Sequence, residues 1–168
     1  MSKSLLGPGL KYTTTIKHPD GRLEVSEDFN LLPQDSVDFV ASLILATGAT
    51  PIGSWHLGIF EGNYVPSAGV TAADLPGVVG ECVAYSQATR PAWAADYDGA
   101  GNIDNLATPA VFNMTAAKTI YGGFVISTSN KAGNTGLILS MCRFDEPKVV
   151  PSGAEFTVTA ELALVGAA

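Results

Sequence analysis

The chain has few charged side chains, and few of those are basic. Nine Lys and Arg residues stand against sixteen Asp and Glu residues, and the formal net charge is −7. The basic residues are scattered, without a cluster or a stripe. Because a nucleic-acid-binding face needs concentrated positive charge, the sequence predicts no nucleic-acid partner. It also lacks a basic amphipathic helix of the kind that lies on a membrane surface.

Long apolar runs are missing as well. The first ten residues carry a single Leu-Leu pair before a glycine and a proline, which does not resemble the apolar core of a secretory signal. No run approaches the length of a membrane span. We therefore expect no membrane partner, and a chain that is synthesised and folded in a cytoplasm.

Histidine and cysteine are scarce, with two residues of each. No Cys, His and carboxylate cluster has metal-ligand spacing, and neither histidine stands in a nucleophile motif. The sequence therefore predicts no metal site, no cofactor and no enzyme. Cys82 and Cys142 each lie in an apolar, strand-like run, and we expect two buried thiols. A disulfide stays open, since it requires that the two strands be neighbours.

Turn-forming residues are abundant, with 18 Gly and 10 Pro. Together with the many Thr and Val residues they favour an all-β domain of short strands. The length of 168 residues, without an internal linker, is typical of one domain. The sequence predicts an extended N-terminal arm at residues 1–9 and a single domain at residues 10–168.

The domain begins with a predicted hairpin. Residues 11–17 alternate as a strand does, and residues 18–21 (HPDG) combine a proline with a glycine that supplies backbone freedom. Residues 22–29 then return, with Leu23 and Val25 on one face and charged residues on the other.

One helix follows the hairpin. Asp35 or Ser36 can cap its first turn, and Gly48 ends it. Its apolar face consists of Val37, Val40, Ala41 and Ile44. We expect this face to cover one end of the β domain. The alternative is a helix that binds a membrane or a partner.

The remaining chain consists of strands and loops. Strands are predicted at 54–60, at 81–86, in three runs between 110 and 144, and at 155–164, with long loops at 61–80 and 89–108. Eight or nine strands without repeats predict an antiparallel β-sandwich of jelly-roll type with one short helix. The predicted core residues of the central runs are Phe112, Ile120, Phe124, Ile126, Leu137 and Leu139.

Two glycine-containing segments look like sites at first. Residues 96–104 resemble the start of an EF-hand calcium loop, but Ala100 and Ala107 stand at ligand positions, which favours a solvated acidic loop. Gly122 and Gly123 lie inside a strand with no Lys-Ser or Lys-Thr after them, so they indicate a bulge or a close backbone approach rather than a phosphate loop.

Contacts with a partner are expected from the arm and the loops. Five aromatic residues can be read as a sugar-stacking platform, although we expect most of them in the core or as loop anchors: Trp55, Tyr64, Tyr85, Trp93 and Tyr97. Arg90 either pairs with an acidic partner or braces its own loop. The predicted partner-contact residues are Leu5, Leu6, Tyr64, Arg90, Trp93 and Tyr97.

Several segments, in order, carry a family resemblance. They are the hairpin and helix start KYTTTIKHPDGRLEVSEDFNLL, then SWHLGIFEGNYVPSAGVTAADLP, and above all TRPAW followed by AVFNMTAAKTIYGGFVISTS. Over roughly residues 10–165 the chain resembles small virion proteins of tailed bacteriophages and prophages, of the head decoration (cement) type. This family offers no catalytic residues to carry over.

The resemblance implies a structural virion protein on the capsid exterior. Its partner would be the major capsid protein, and it would form a homo-oligomer, a dimer or a trimer. The alternatives are a tail- or fibre-associated adhesion module that binds host-surface glycans, and a hydrolase whose site is assembled in space. The adhesion module requires exposed aromatic residues in a concave patch, and the hydrolase requires converging Ser, His and carboxylate groups.

Overall fold

A computed structural model describes residues 9–45, 49–99 and 101–163. In this part of the chain, nine strands form two antiparallel sheets that pack as a sandwich, beside one α-helix. The predicted all-β sandwich is confirmed, and its jelly-roll topology stays a prediction. The elements are β1 (Leu10–Lys17), β2 (Leu23–Phe29), α1 (Gln34–Leu45), β3 (His56–Phe60), β4 (Asp96–Tyr97), β5 (Asn102–Asp104), β6 (Ala110–Asn113), β7 (Lys118–Ile126), β8 (Ile138–Val150) and β9 (Glu155–Ala163).

The predicted hairpin is confirmed as β1 and β2. The two strands pair without interruption from Lys11 opposite Phe29 to Lys17 opposite Leu23. The amide of Gly21 donates to the carbonyl of His18 over 2.9 Å, and Gly21 has a φ of +88°, which favours glycine. Residues Leu23 and Val25 share one face as expected, but this face points to solvent because the register pairs them with Lys17 and Thr15 on the outer side of β1.

The larger sheet, of six strands, has β9 at its centre. Its order is β2-β1-β9-β5-β4, and β6 pairs with β9 as well. On the inner face the side chains of Tyr12, Ile16, Phe156 and Val158 are fully buried or nearly so. Both β4 and β5 lie in the segment predicted as a loop, where the sequence shows little alternation.

The smaller sheet has the order β3-β7-β8. The register of β7 against β8 shifts between Ile120 and Gly122, but the additional residues lie in β8, between Arg143 and Lys148, so a bulge of β7 itself is wrong. The alternative, a close backbone approach at the glycine pair, is confirmed, because a Cβ on Gly122 would overlap the carbonyl oxygen of Cys142. The predicted strand at 81–86 is wrong, since Glu81 and Tyr85 make only isolated bridges. The chain turns between them, where the amide of Tyr85 donates to the carbonyl of Val83 over 2.9 Å.

The two sheets are joined along the β2–β8 side. Leu31 and Met141 exchange two backbone hydrogen bonds, of 2.9 and 3.0 Å. The amide of Asp145 donates to Asp28 Oδ1 over 2.7 Å. Beyond this point β2 and β8 leave a groove between them, which is lined by polar and apolar side chains alike.

Most of the residues predicted to form the core are buried. Phe112, Ile120, Phe124 and Ile126 are buried. Leu137 and Leu139 are both half-buried while their neighbours are inside. The placement of Leu137 in the core is wrong, whereas Leu139 packs against the core from its edge. Those neighbours are Ile138, which pairs with Ile126, and Ser140, whose hydroxyl meets that of the buried Tyr12. Both cysteines are buried free thiols.

Candidate functional site

Helix α1 is attached to the sandwich by its polar side. The hydroxyl of Ser36 donates to the carbonyl of Leu139 over 2.6 Å, and Ser36 is buried. The ring of Phe39 meets Trp55 edge-on, with ring centroids 6.3 Å apart. The helix entry is fixed as well, since the amide of Gln34 donates to the carbonyl of Ala68 over 2.8 Å. These contacts set which side of the helix faces the protein.

The apolar side of α1 therefore faces solvent. The exposed fractions are 43% for Val37, 38% for Val40, 36% for Leu43 and 74% for Ile44, and Ala41 is exposed too. The prediction that this face covers an end of the sandwich is wrong, because the bond from Ser36 and the ring contact of Phe39 rotate it outward. We call Val37, Val40, Ala41 and Ile44 the helix face; Leu43, four residues after Phe39 and seven after Ser36, lies on the attached side. Such a concentration of exposed apolar side chains is typical of an interaction surface.

Arg90 is buried beneath the loops. Its guanidinium donates two hydrogen bonds to the carboxylate of Glu81, of 2.8 and 2.7 Å, and both side chains are inaccessible to solvent. It also donates to the carbonyls of Thr128 and Gly133, over 3.1 and 3.0 Å. The prediction that Arg90 contacts a partner is wrong, and the alternative that it braces its loop is confirmed. Burial is possible because every charge has a partner.

Two further basic side chains hold loops in place. Arg143 donates to the carbonyl of Tyr64 over 2.9 Å and to Asn63 Oδ1 over 2.7 Å. Lys131 donates to the carbonyls of Tyr85 and Gln87, over 2.7 and 2.9 Å. These bonds fix backbone that would otherwise be free to move, so the loop surfaces are preorganised.

The other predicted contact residues are dispersed. Trp93 is buried and its indole donates to the carbonyl of Ala160 over 3.0 Å, so its assignment as a contact residue is wrong. Tyr64 is half-buried, and Tyr97, 62% exposed, is open to a partner. Leu5 and Leu6 lie outside the described residues. The structure does not bring these residues together as one site.

The aromatic residues do not form one exposed platform. Tyr85 and Trp93 are buried, as expected for core residues and loop anchors. Trp55 is half-buried against Phe39. The concave aromatic patch that a glycan-binding module requires is thus not assembled from these five residues.

The groove between β2 and the end of β8 has a volume of about 730 Å³. Buried His18 lies within it, with Arg22 Nη2 3.3 Å from its Nδ1 and Glu24 Oε1 3.2 Å from its Nε2. The guanidinium of Arg22 lowers the pKa of Glu24. The hydroxyls of Thr14 and Ser26, which also line the groove, are bonded to each other over 2.7 Å. The groove thus holds a small cluster of polar and charged side chains, in which the imidazole of His18 lies beside Arg22 and Glu24.

The acidic loop of residues 96–104 forms the β4–β5 hairpin. The amide and side-chain nitrogens of Asn102 donate to the carboxylate of Asp98, over 3.1 and 2.9 Å. Asp104 Oδ1 accepts from the amide of Leu106 over 2.8 Å. Within the described residues, no group of three or more His, Cys, Asp and Glu side chains is arranged to hold a metal ion. The carboxylates of Asp98 and Asp104 therefore accept hydrogen bonds from nearby residues and stabilise turns.

His56 gives the fold a pH dependence. Burial lowers its pKa below the ordinary 6.5, and its Nδ1 is buried without a hydrogen-bond partner. The unfolded chain therefore binds a proton at higher pH than the folded protein, and stability present above pH 6.5 is lost as the pH falls. We expect the urea midpoint to fall between about pH 7.5 and 5.5, and to fall less in a His56→Gln variant. An unchanged dependence in His56→Gln contradicts the assignment.

The chain was compared with protein-family models, curated proteins and solved structures. None of them matches it. In the described part of the chain, no helix has the length and apolar character needed to cross a membrane.

One signal in the sequence could have indicated that the helix face is exposed to solvent. Ser36, Phe39 and Ser42 recur on the opposite side of α1, and two serines beside one aromatic ring suit a close contact with a polar backbone. The apolar periodicity alone does not say whether its face is covered by the same chain or by another one.

Proposed function

We propose that this protein is a structural virion protein: a capsid decoration, or cement, protein that binds the outer surface of a phage head. Its partner is the major capsid protein, and it acts as a homo-oligomer on the capsid exterior. The resemblance of its segments to small phage virion proteins suggests the class. What supports it in the structure is a β body whose loops are held from beneath by basic side chains.

The braced loops are the observation on which the proposal rests. Arg90 ties residues 81, 128 and 133 together, and Arg143 ties β8 to residues 63 and 64. A protein that binds a broad, flat partner gains affinity when its contact loops are already ordered, because ordering them on binding costs free energy. Binding by a broad surface also needs no deep apolar pocket.

The charge of the protein suits an exterior position. With a net charge of −7, the protein is not attracted to packaged DNA. Exposed acidic groups also keep unbound copies soluble until they meet the head.

Binding to heads tests the proposal directly. Purified protein is mixed with heads that lack it, from the phage that encodes it, and bound copies are counted by quantitative electrophoresis. We expect hundreds of copies per head and heads that resist heating better with the protein than without it. Sub-stoichiometric binding, or binding to tails or host cells instead, contradicts the proposal and favours the adhesion module.

Two variants locate the contacts. Deleting residues 1–9 should weaken head binding and leave the fold intact, as a contact made by the arm requires.

Arg143→Ala should weaken head binding about tenfold, because residues 63 and 64 lose their hydrogen bonds and must be ordered on binding. Lys148→Ala, on the same strand, is the matched control and should bind as the wild type does.

A further inference from the structure

The groove between β2 and β8 runs along a strand edge that is open to pairing. Within the described residues, β2 pairs with β1 on one side and with no strand on the side of the groove. The β8 side of the groove carries Pro147 and Pro151, which lack amide donors. Prolines are a common guard against unwanted pairing at a strand edge, and β2 contains none. The unguarded side of the groove is therefore β2.

The main-chain groups of β2 that face the groove follow from its ladder with β1. Hydrogen-bonded and non-hydrogen-bonded pairs alternate along an antiparallel ladder. The amide of His18 donates to the carbonyl of Arg22 over 2.9 Å, so the even-numbered residues of β2 bond to β1. The carbonyl of Phe29 points the other way and accepts from the thiol of Cys142 over 3.3 Å. Three further residues have amides and carbonyls that point away from β1, towards the groove: Leu23, Val25 and Glu27.

A strand that pairs with this edge needs polar residues on one face and apolar residues on the other. Its inner side chains would meet the polar lining of the groove, which includes Thr14, Glu24 and Ser26. Its outer side chains would continue an apolar strip on β2, where Leu23 is 61% and Val25 is 66% exposed. Because successive side chains of a strand alternate in direction, polar and apolar residues must alternate in the added segment.

We propose that the groove binds the N-terminal arm of a second copy of this chain, which adds a strand antiparallel to β2. Residues 2–5 of the arm read Ser-Lys-Ser-Leu and have the required alternation, with the serines on one face. When Leu5 lies opposite Val25, Ser4 lies opposite Ser26 and faces the groove. In strand addition the main-chain hydrogen bonds supply the affinity and the side chains supply the specificity. This inference deepens the homo-oligomer part of the proposed function and rests on that function for its biological setting.

Charge complementarity supports this register. It places Lys3, the only basic residue among the first ten, opposite Glu27. The carboxylates of Glu27 and Glu161 share a single ammonium group, that of Lys11, at 3.5 and 3.1 Å. This part of the sheet therefore has an excess negative charge, and opposite charges across neighbouring strands are stabilising.

The arm has to come from another copy, because its own groove is out of reach. In the proposed register Gly7 lies level with Leu23, whereas β1 begins with Leu10 at the far end of β2, about 24 Å away. The chain from residue 7 to residue 10 spans at most about 11 Å. Entry from the near end is blocked, because Leu31 and Met141 close the groove there with two hydrogen bonds.

Disulfide trapping between two full-length variants tests the pairing. Leu5→Cys is mixed with Val25→Cys under oxidising conditions, and the linked residues are identified by mass spectrometry. Val78→Cys is the matched control, since Val78 and Val25 are both 66% exposed. We expect at least about tenfold more linked heterodimer with Val25→Cys, because only residue 25 lies opposite residue 5. Equal yields overturn the inference. The native thiols, Cys82 and Cys142, are buried and do not compete.

A double variant distinguishes exchange between copies from an arm that folds back. Leu5→Cys/Val25→Cys should give linked dimers and longer chains, because each arm reaches the groove of another copy. A monomer with an internal bond between residues 5 and 25 overturns the inference, since the arm would then occupy its own groove.

Val25→Pro tests the main-chain pairing and leaves the β1–β2 ladder intact. The amide of Val25 points to the groove, so proline removes a donor to the arm and no bond to β1. Val25→Thr keeps the amide and is the control. In sedimentation equilibrium, the average mass of the wild type and of Val25→Thr should rise with concentration, and that of Val25→Pro should not. A wild-type mass that does not rise, or a rise that persists in a folded Val25→Pro, overturns the inference.

Charge reversal tests the register without changing the backbone. Lys3→Glu and Glu27→Lys should each weaken the association about tenfold, and the double variant Lys3→Glu/Glu27→Lys should restore most of it. A double variant as weak as the single ones overturns the register.

The outcomes separate this inference from the proposed function. If residues 5 and 25 are trapped efficiently but the protein does not bind heads, the arm exchange stands and the cement function fails. If the protein binds heads in hundreds of copies but residues 5 and 25 are not trapped in solution or on heads, the function stands and the arm exchange fails.

Discussion

Replacing Arg90 by methionine should lower the free energy of unfolding by about 3–5 kcal/mol. The variant leaves the carboxylate of Glu81 buried without its two hydrogen bonds, and the carbonyls of Thr128 and Gly133 lose their donor. An uncompensated buried charge is more costly than the pair is stabilising. Urea unfolding followed by tryptophan fluorescence measures the change.

Two controls test this explanation. Arg22→Met removes an arginine that also pairs with a glutamate, but Arg22 is 56% exposed, so the loss should stay below about 1 kcal/mol. The double variant Glu81→Leu/Arg90→Met should recover part of the stability, because no unpaired charge remains. If the double variant is less stable than Arg90→Met, the buried charge is not the cause of the loss.

Gly122→Ala should be nearly as damaging, with a loss of about 3 kcal/mol. A Cβ at this position would overlap the carbonyl oxygen of Cys142 and the ring of Phe60. The first neighbour is backbone of the paired strand β8, which cannot rotate away, and the second is fully buried. The variant must therefore separate β7 from β8 or displace a core ring.

Gly123→Ala is the matched control, one residue along the same strand. The nearest atom to its Cβ would be the carbonyl oxygen of Gly58, at 3.3 Å, followed by the Tyr12 ring at 3.5 Å. A few tenths of an ångström of adjustment suffice, and alanine also restricts the unfolded chain, so the net change should stay within about 1 kcal/mol. Equal losses in the two variants would mean that flexibility, rather than space, requires glycine at both positions.

The local parts of the fold could be predicted because their causes are local. The β1–β2 hairpin follows from alternation around a Pro-Asp-Gly turn, and the close approach of β7 to the backbone of β8 follows from a glycine pair inside an apolar run. The strand predicted at 81–86 is also based on a local pattern, but it is not present in the structure. It makes only isolated bridges because its neighbour β3 pairs with Glu81 at one end and Ala92 at the other.

The candidate site was predicted less well. The arm and loops were expected to supply contacts, yet Arg90 and Trp93 are buried, and α1 exposes an apolar side that was expected to be covered. An arginine followed by proline in a loop has the same sequence pattern whether it points outward or inward. The direction of its side chain depends on whether the interior offers a carboxylate and carbonyl oxygens as hydrogen-bond acceptors. The neighbouring sequence does not show whether these acceptors are present.

The sequence by itself determined the β class, the hairpin, the helix and the need for glycine at the centre of β7. Alternation, helical periodicity and turn chemistry act over a few residues, so these features are readable from the residues alone. The predicted caps, Asp35 or Ser36, are wrong, since the helix begins at Gln34. Only the tertiary structure decided which side of α1 faces solvent and that Arg90 lies inside. Those choices depend on bonds between distant residues, from Ser36 to Leu139, 103 positions apart, and from Arg90 to Gly133, 43 positions apart. A partner so far along the chain leaves no periodic signal near the residue whose orientation it sets.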